Sequence, residues 1–162
     1  MQTLTSLYQR FYNKSVQKGS YVLVMELHQE STIMVGRLGP FLFPAGYYLY
    51  MGSALGGLSQ RINRYLQEKR NLHWHIDYLL EQAKIMEIWY TITSQRMECQ
   101  FAQAACALPR ASVPVKGFGA SDCKCDSHLI HLHERPTIAP LKESLETLTG
   151  CGVALEPFIM ER

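Results

Sequence analysis

No apolar run in this chain of 162 residues approaches the ~18–20 residues that a membrane span requires. The first residues, Met1 to Gln9, lack the basic region and apolar core of a secretory signal. Excess charge is scarce too: 16 Lys and Arg stand against 14 Asp and Glu, a net charge of +2. So weak an overall field means that a nucleic-acid partner has to be met by a local basic patch. The five cysteines are odd in number and form no disulfide framework. A reducing, cytoplasmic setting is the simpler expectation for a soluble chain of this kind. Internal repeats and low-complexity tracts are also missing.

What is present is ordinary globular material. Hydrophobic residues make up 47% of the chain and charged ones 19%, enough for a core and too few charges for disorder. The length suits one domain. Residues 1–18 turn polar towards their end and read as a short helix or arm. A main domain is expected over 19–133, followed by a C-terminal extension over 134–162 that carries one weak helix.

Within the main stretch, Tyr21 to Met25 is a short apolar, β-rich run and reads as a buried strand. Polar His28 to Ser31 suggests a turn, and Thr32 to Val35 a second strand returning on the first as a hairpin. Gly39-Pro40 and Pro44-Ala45-Gly46 break the chain before a third strand, Tyr47 to Met51. Leu58 to Lys69 carries Leu58, Ile62, Tyr65 and Leu66 on one helical face. A second helix spans His75 to Gln82, and Ile85 to Thr93 alternates as a strand. Ser94 is placed to N-cap a helix running to about Leu108. Gly117 to Gly119 reads as a loop, and His128 to Leu132 as a late strand. Tight turns between early strands favour an α+β domain: a small antiparallel sheet, three core strands plus an extra hairpin strand, flanked by helices.

Several positions offer chemistry. Tyr21 and Tyr50 each lie on a strand close to glycine, where backbone or a phosphate can approach. Two such strands, paired, set the phenols side by side; ordinary packing is the competing account of both residues. Arg61 falls on the rim of its helix's apolar face, near a helix N-terminus that favours an anion. Arg64 points nearer to solvent, and with Lys69 and Arg70 it makes a modest basic strip for a phosphate backbone, with an ordinary solvated face as the default reading of Arg64. Ser53 joins them as a candidate nucleic-acid contact. Glu98 borders the apolar stripe of its helix, where a carboxylate costs free energy unless paired or bound to a cation. One carboxylate with waters is a normal way to hold Mg²⁺; a helix-start glutamate that favours the dipole is the bland alternative.

His73 and His75 flank a helix start, either as capping or surface residues or as proton acceptors. Asp77 either orients a histidine or caps the helix. Trp74 either packs or stacks on a base. The run Cys123-Lys124-Cys125-Asp126-Ser127-His128 has zinc-ligand types but not the spacing of a standard finger. A fourth ligand would have to come from Cys99 or His131, and reduced structural cysteines are the simpler reading.

Taken together these residues resemble the GIY-YIG nuclease superfamily, over roughly residues 19–133. Its two motifs correspond to Gly19-Ser20-Tyr21 and Tyr50-Met51-Gly52, with Arg61 in the next helix and Glu98 at the start of a later one. More closely the chain resembles the Uri-type endonucleases, formerly grouped as DUF123 proteins. That likeness rests on stretches 46–54 (GYYLYMGSA), 73–78 (HWHIDY), Glu98-Cys99 and 117–129 (GFGASDCKCDSHL).

The resemblance implies a three-stranded antiparallel sheet with flanking helices and metal-dependent cleavage of DNA, in repair, restriction or mobile-element contexts. It implies that Glu98 ligates one Mg²⁺ or Mn²⁺ and that Arg61 stabilises charge on the phosphoryl oxygens. Tyr21 and Tyr50 would position or deprotonate the attacking water. The chain departs from the pattern at Tyr65, where many relatives carry histidine, and one extra residue separates Gly52 from Arg61. A late asparagine of several relatives has no counterpart; Ser121, Asp122 and His128 are the nearest polar residues. The general base is left open among Tyr21, His73, His75 and Tyr65. Whether the DNA is single- or double-stranded, and the oligomeric state, are not legible. Two rival readings stand beside the nuclease: a noncatalytic nucleic-acid-binding module, and a zinc-stabilised interaction domain built on Cys123, Cys125 and His128.

Overall fold

A computed structural model describes residues 17–158; most of the expected N-terminal arm lies outside these residues. Nine consecutive residues form the central strand β1 (Gly19–Leu27), and all but one are buried. Both of its faces are covered, which is why the run from Tyr21 to Met25 is continuously apolar rather than alternating. Tyr21, Leu23 and Met25 enter one core, and Val22 and Val24 enter the other.

The remaining strands are β2 (Ser31–Val35), β3 (Gly39–Phe43), β4 (Gly46–Ala54), β5 (Lys84–Ile92), β6 (Leu129–Leu132) and β7 (Glu156–Phe158). Five of them form an antiparallel sheet in the order β6-β4-β1-β5-β7. The helices are α1 (Leu58–Leu66), α2 (His75–Leu80), α3 (Glu98–Cys106) and α4 (Ile138–Thr149). On one face of the sheet, α1 and α2 pack with the β2–β3 ribbon. On the other, Phe101, Ala102 and Ala105 of α3 pack with Leu141 and Leu145 of α4. The fold is α+β as expected. The C-terminal stretch packs on the domain through α4 and adds β7 to the edge of the sheet. No helix among the described residues is long and apolar enough to cross a membrane.

Three local expectations need correction. β2 does not return on β1; it pairs with β3 in a separate two-stranded ribbon, because both edges of β1 are taken by β4 and β5. The Gly39-Pro40 break concealed β3, which tolerates Pro40 because a ribbon strand has an edge where the missing N–H goes unused. Ser94 is not an N-cap, since α3 starts only at Glu98, with Met97 in the cap position and no side-chain cap. Ser20 of β1 stands in: its Oγ accepts the Met97 N–H at 3.1 Å and donates to the Gln95 carbonyl at 3.3 Å.

α1 and α2 are joined by one ion pair. Arg64 donates to both Asp77 carboxylate oxygens, at 2.7 and 2.6 Å, and Asp77 is wholly buried. The same carboxylate accepts the backbone N–H groups of His73 and Trp74, each at 2.8 Å, and so caps α2. Burial pushes the Asp77 pKa up, but the Arg64 guanidinium and these backbone donors outweigh it and hold it below the ordinary carboxylate value. A pKa depressed by folding gives stability that is complete above the unfolded-state value, about 3.9, and is lost as pH falls through the folded one. Asp77→Asn is expected to cost about 2–4 kcal/mol at neutral pH, by the loss of charge-assisted bonds around a buried group. Urea unfolding as a function of pH should show that this loss shrinks in acid, where the wild-type carboxyl is itself protonated.

Candidate functional site

The register of β1 on β4 sets Tyr21 opposite Gly52 and Tyr50 opposite Leu23. The two phenols are therefore diagonal neighbours on one face rather than directly opposed. A Cβ on Gly52 would lie 2.3 Å from the Tyr21 phenol oxygen, so the ring rests on bare backbone there. Its hydroxyl hydrogen-bonds the Tyr65 hydroxyl at 2.6 Å and accepts from Arg61 Nη1 at 3.3 Å. The same nitrogen donates to the Ser53 carbonyl at 3.3 Å. Arg61 and Arg64 each lie 4.3 Å from the Trp74 ring centroid, which holds both guanidiniums by cation–π contact.

Glu98 reaches the same place from the other face. Ser20 and Ser53 are cross-strand partners there, with their hydroxyls 2.8 Å apart. Ser53 Oγ donates in turn to Glu98 Oε2, while Ser20 holds the segment leading into α3. Groups from both faces meet because β6 pairs with β4 only as far as Tyr50, opposite Leu129. Beyond that, Gly52 and Ser53 line the wall of an open cleft of about 490 Å³. Tyr21, Tyr50, Ser53, Arg61, His73, Trp74, His75 and Glu98 all face it.

The basic strip is placed elsewhere. Arg64 is paired with the buried carboxylate of Asp77 and does not line the cleft. Arg70 donates to the carbonyls of Tyr65 and Gln67, and neither it nor Lys69 lines the cleft. Arg96 supplies positive charge there instead; as an exposed loop arginine two residues before Glu98, it carries no pattern that marks it in the sequence. Ser20 went unnoticed as a support of the Glu98 segment because its partners are 33 and 77 positions away.

Burial raises the pKa values of Tyr21, Tyr50 and Tyr65, so all three phenols stay protonated at neutral pH. His75 Nδ1 accepts the Gly119 N–H at 2.9 Å, which leaves the proton of the neutral imidazole on Nε2. Burial lowers the His75 pKa and favours this neutral form. Gly119 has a φ of +67°, and a Cβ on it would press on the Tyr50 ring at 2.8 Å. The cleft therefore presents hydroxyl groups, the imidazoles of His73, His75 and His128, two arginines and the carboxylates of Glu98 and Asp122.

The Tyr21–Gly52 contact can be tested by a double-mutant cycle. Gly52→Ala alone is expected to destabilise by about 1–3 kcal/mol through overpacking. Its cost should fall below about 1 kcal/mol in a Tyr21→Ala background, where no ring is left to clash. Equal costs in both backgrounds, measured by chemical unfolding, would mean that the ring and the glycine are not coupled.

Comparison with known proteins gives one positive result. No curated protein and no solved structure matches the chain. A family described as "Domain of unknown function DUF123" matches residues 20–150, which spans both tyrosines, Arg61, Glu98 and the loop that supplies Gly119. The chain belongs to this DUF123 family.

Proposed function

We propose that this protein is a divalent-metal-dependent endonuclease of the GIY-YIG type that hydrolyses DNA phosphodiester bonds in the cleft beside Gly52. The observation that carries the reading is convergence. Tyr21 from β1, Tyr50 from β4, Arg61 from α1 and Glu98 from α3 line one cleft, and these are the positions that the resemblance to Uri-type endonucleases marks. A cleft with a cation on one wall and a carboxylate on another suits a phosphodiester, whose anionic oxygens need positive partners.

The donor set fits a hard, well-hydrated cation. Glu98 is partly exposed, and the Ser53 hydroxyl bonds one of its oxygens. Mg²⁺ keeps several waters and needs few protein ligands, so Glu98 would hold Mg²⁺ or Mn²⁺ alone. A cation held there would supply positive charge against the phosphoryl group and a more acidic water. Arg61, always cationic, pairs with a phosphoryl oxygen, and its Tyr21, Ser53 and Trp74 contacts orient it beforehand. Hydrolysis joins a water oxygen to phosphorus and breaks a bond to a deoxyribose oxygen. That leaving oxygen takes up a proton as the water loses one. Tyr21 and Tyr50, kept protonated by burial, orient the water by hydrogen bonds rather than acting as phenolate bases. His75, with its proton on Nε2, is set to donate into the cleft.

Purified protein with Mg²⁺ or Mn²⁺ is expected to cut single- or double-stranded DNA and to stop when the ion is chelated. Arg61→Ala should lower the cleavage rate about 100-fold or more, the usual scale for a lost electrostatic group. Glu98→Ala should abolish cleavage while leaving the fold intact by circular dichroism. No cutting of either DNA form with either ion would overturn the nuclease reading. Binding of DNA without cutting would favour a noncatalytic module.

A further inference from the structure

Beside the cleft, which Cys99, Cys123 and His128 line, three thiols and an imidazole from two separate segments come together. Cys99 lies in the first turn of α3, and Cys123, Cys125 and His128 lie in the loop before β6. Their four ligand atoms all lie within 4.8 Å of one another. His128 Nε2 is 3.4 Å from Cys123 Sγ and 3.6 Å from Cys99 Sγ. Around a tetrahedral zinc ion, with Zn–S near 2.3 Å and Zn–N near 2.0–2.1 Å, sulfur and nitrogen ligands sit about 3.5–3.6 Å apart. The His128 nitrogen already stands at about that spacing from two of the thiols.

We infer that Cys99, Cys123, Cys125 and His128 hold one zinc ion, which fastens the 117–128 loop to the first turn of α3. Three thiolates and one imidazole are a soft set that suits zinc, and four protein ligands leave no open position, the mark of a structural site. A disulfide between any two of the thiols leaves the third unpaired, whereas one ion uses all three. His131, the other candidate for the fourth position, is engaged with the Ala45 carbonyl at 3.0 Å.

The loop needs such a fastening. No helix or named strand lies between Cys106 and Leu129, a stretch long enough to call for something besides its own backbone. Its base is closed by the Gly117 N–H on Asp126 at 2.6 Å and the His128 N–H on Phe118 at 2.8 Å. Between these closures the loop carries Cys123 and Cys125, two of the four clustered side chains. Cys99 directly follows Glu98, and Gly119 binds His75, so the ion ties together two walls of the cleft. The inference rests on ligand geometry and does not require that the cleft cut DNA.

The test uses the full chain, reduced, incubated with excess Zn²⁺ and then gel-filtered. Elemental analysis should find one zinc per chain. A thiol reagent should modify Cys106 and Cys151, which are exposed, and reach the other three only after chelation. Cobalt(II) in the stripped protein should give the intense visible bands of a tetrahedral thiolate site. Cys125→Ser and His128→Ala should each weaken retention against a competing chelator at least 10-fold. His128→Cys, which keeps four ligands, should retain the metal, as should Cys106→Ser. Less than about 0.1 zinc per chain in folded, reduced protein would overturn the inference. So would a full equivalent retained by the Cys125→Ser, His128→Ala double variant. Should the alanine variant fail to fold, zinc content and thiol protection of the wild type decide by themselves.

Discussion

The ring of Tyr21 lying on the bare backbone of Gly52 is the contact on which the cleft depends. It requires the β1–β4 register to be what it is, since a slip of one residue would turn Tyr21 to the opposite face. It also requires glycine, because a Cβ there would overlap the phenol oxygen. From that position the Tyr21 hydroxyl meets Tyr65 and Arg61, which sets α1 against the sheet. Arg61 then rests on Trp74, whose backbone N–H is held by the Asp77 carboxylate that also receives Arg64. One close approach between two strands thus sets the direction of a guanidinium on the helix packed against them.

The other wall is built by small polar groups. Ser20 and Ser53 face each other under α3, and together they hold the Glu98 carboxylate and the segment before it. Buried hydroxyls are tolerated there because each has a partner. The two walls meet only because β6 stops opposite Tyr50 and leaves the end of β4 uncovered. Burial has a chemical consequence on the tyrosine side: protonated phenols donate and accept hydrogen bonds but do not ionise at neutral pH. The pattern is one of positioning rather than of strong side-chain bases.

Much of this was legible in the sequence where local rules apply. The apolar run of β1, the helical face of α1 and the rim position of Arg61 follow from periodicity alone, and the structure places them accordingly. What escaped depends on contacts between distant segments. Arg64 looked solvent-directed on its own helix, yet Asp77 of the next helix claims it. Ser94 looked like a cap, yet a serine from the central strand takes the backbone donor instead. Pro40 looked like a break, yet a two-stranded ribbon has room for it. The sequence left Cys99 and His131 equal as partners of the Cys123-to-His128 run. Packing of the α3 start against the loop chose Cys99.

The central claim is that Glu98 and Arg61 form a metal and phosphate site on the cleft beside Gly52. Its most direct test is a crystal structure of the Arg61-intact protein with Mn²⁺ and a non-hydrolysable DNA strand, read by anomalous scattering. The account predicts one Mn²⁺ on the Glu98 carboxylate, with a phosphate between it and the Arg61 guanidinium. Mn²⁺ bound only away from Glu98, with DNA lying outside the cleft, would contradict it.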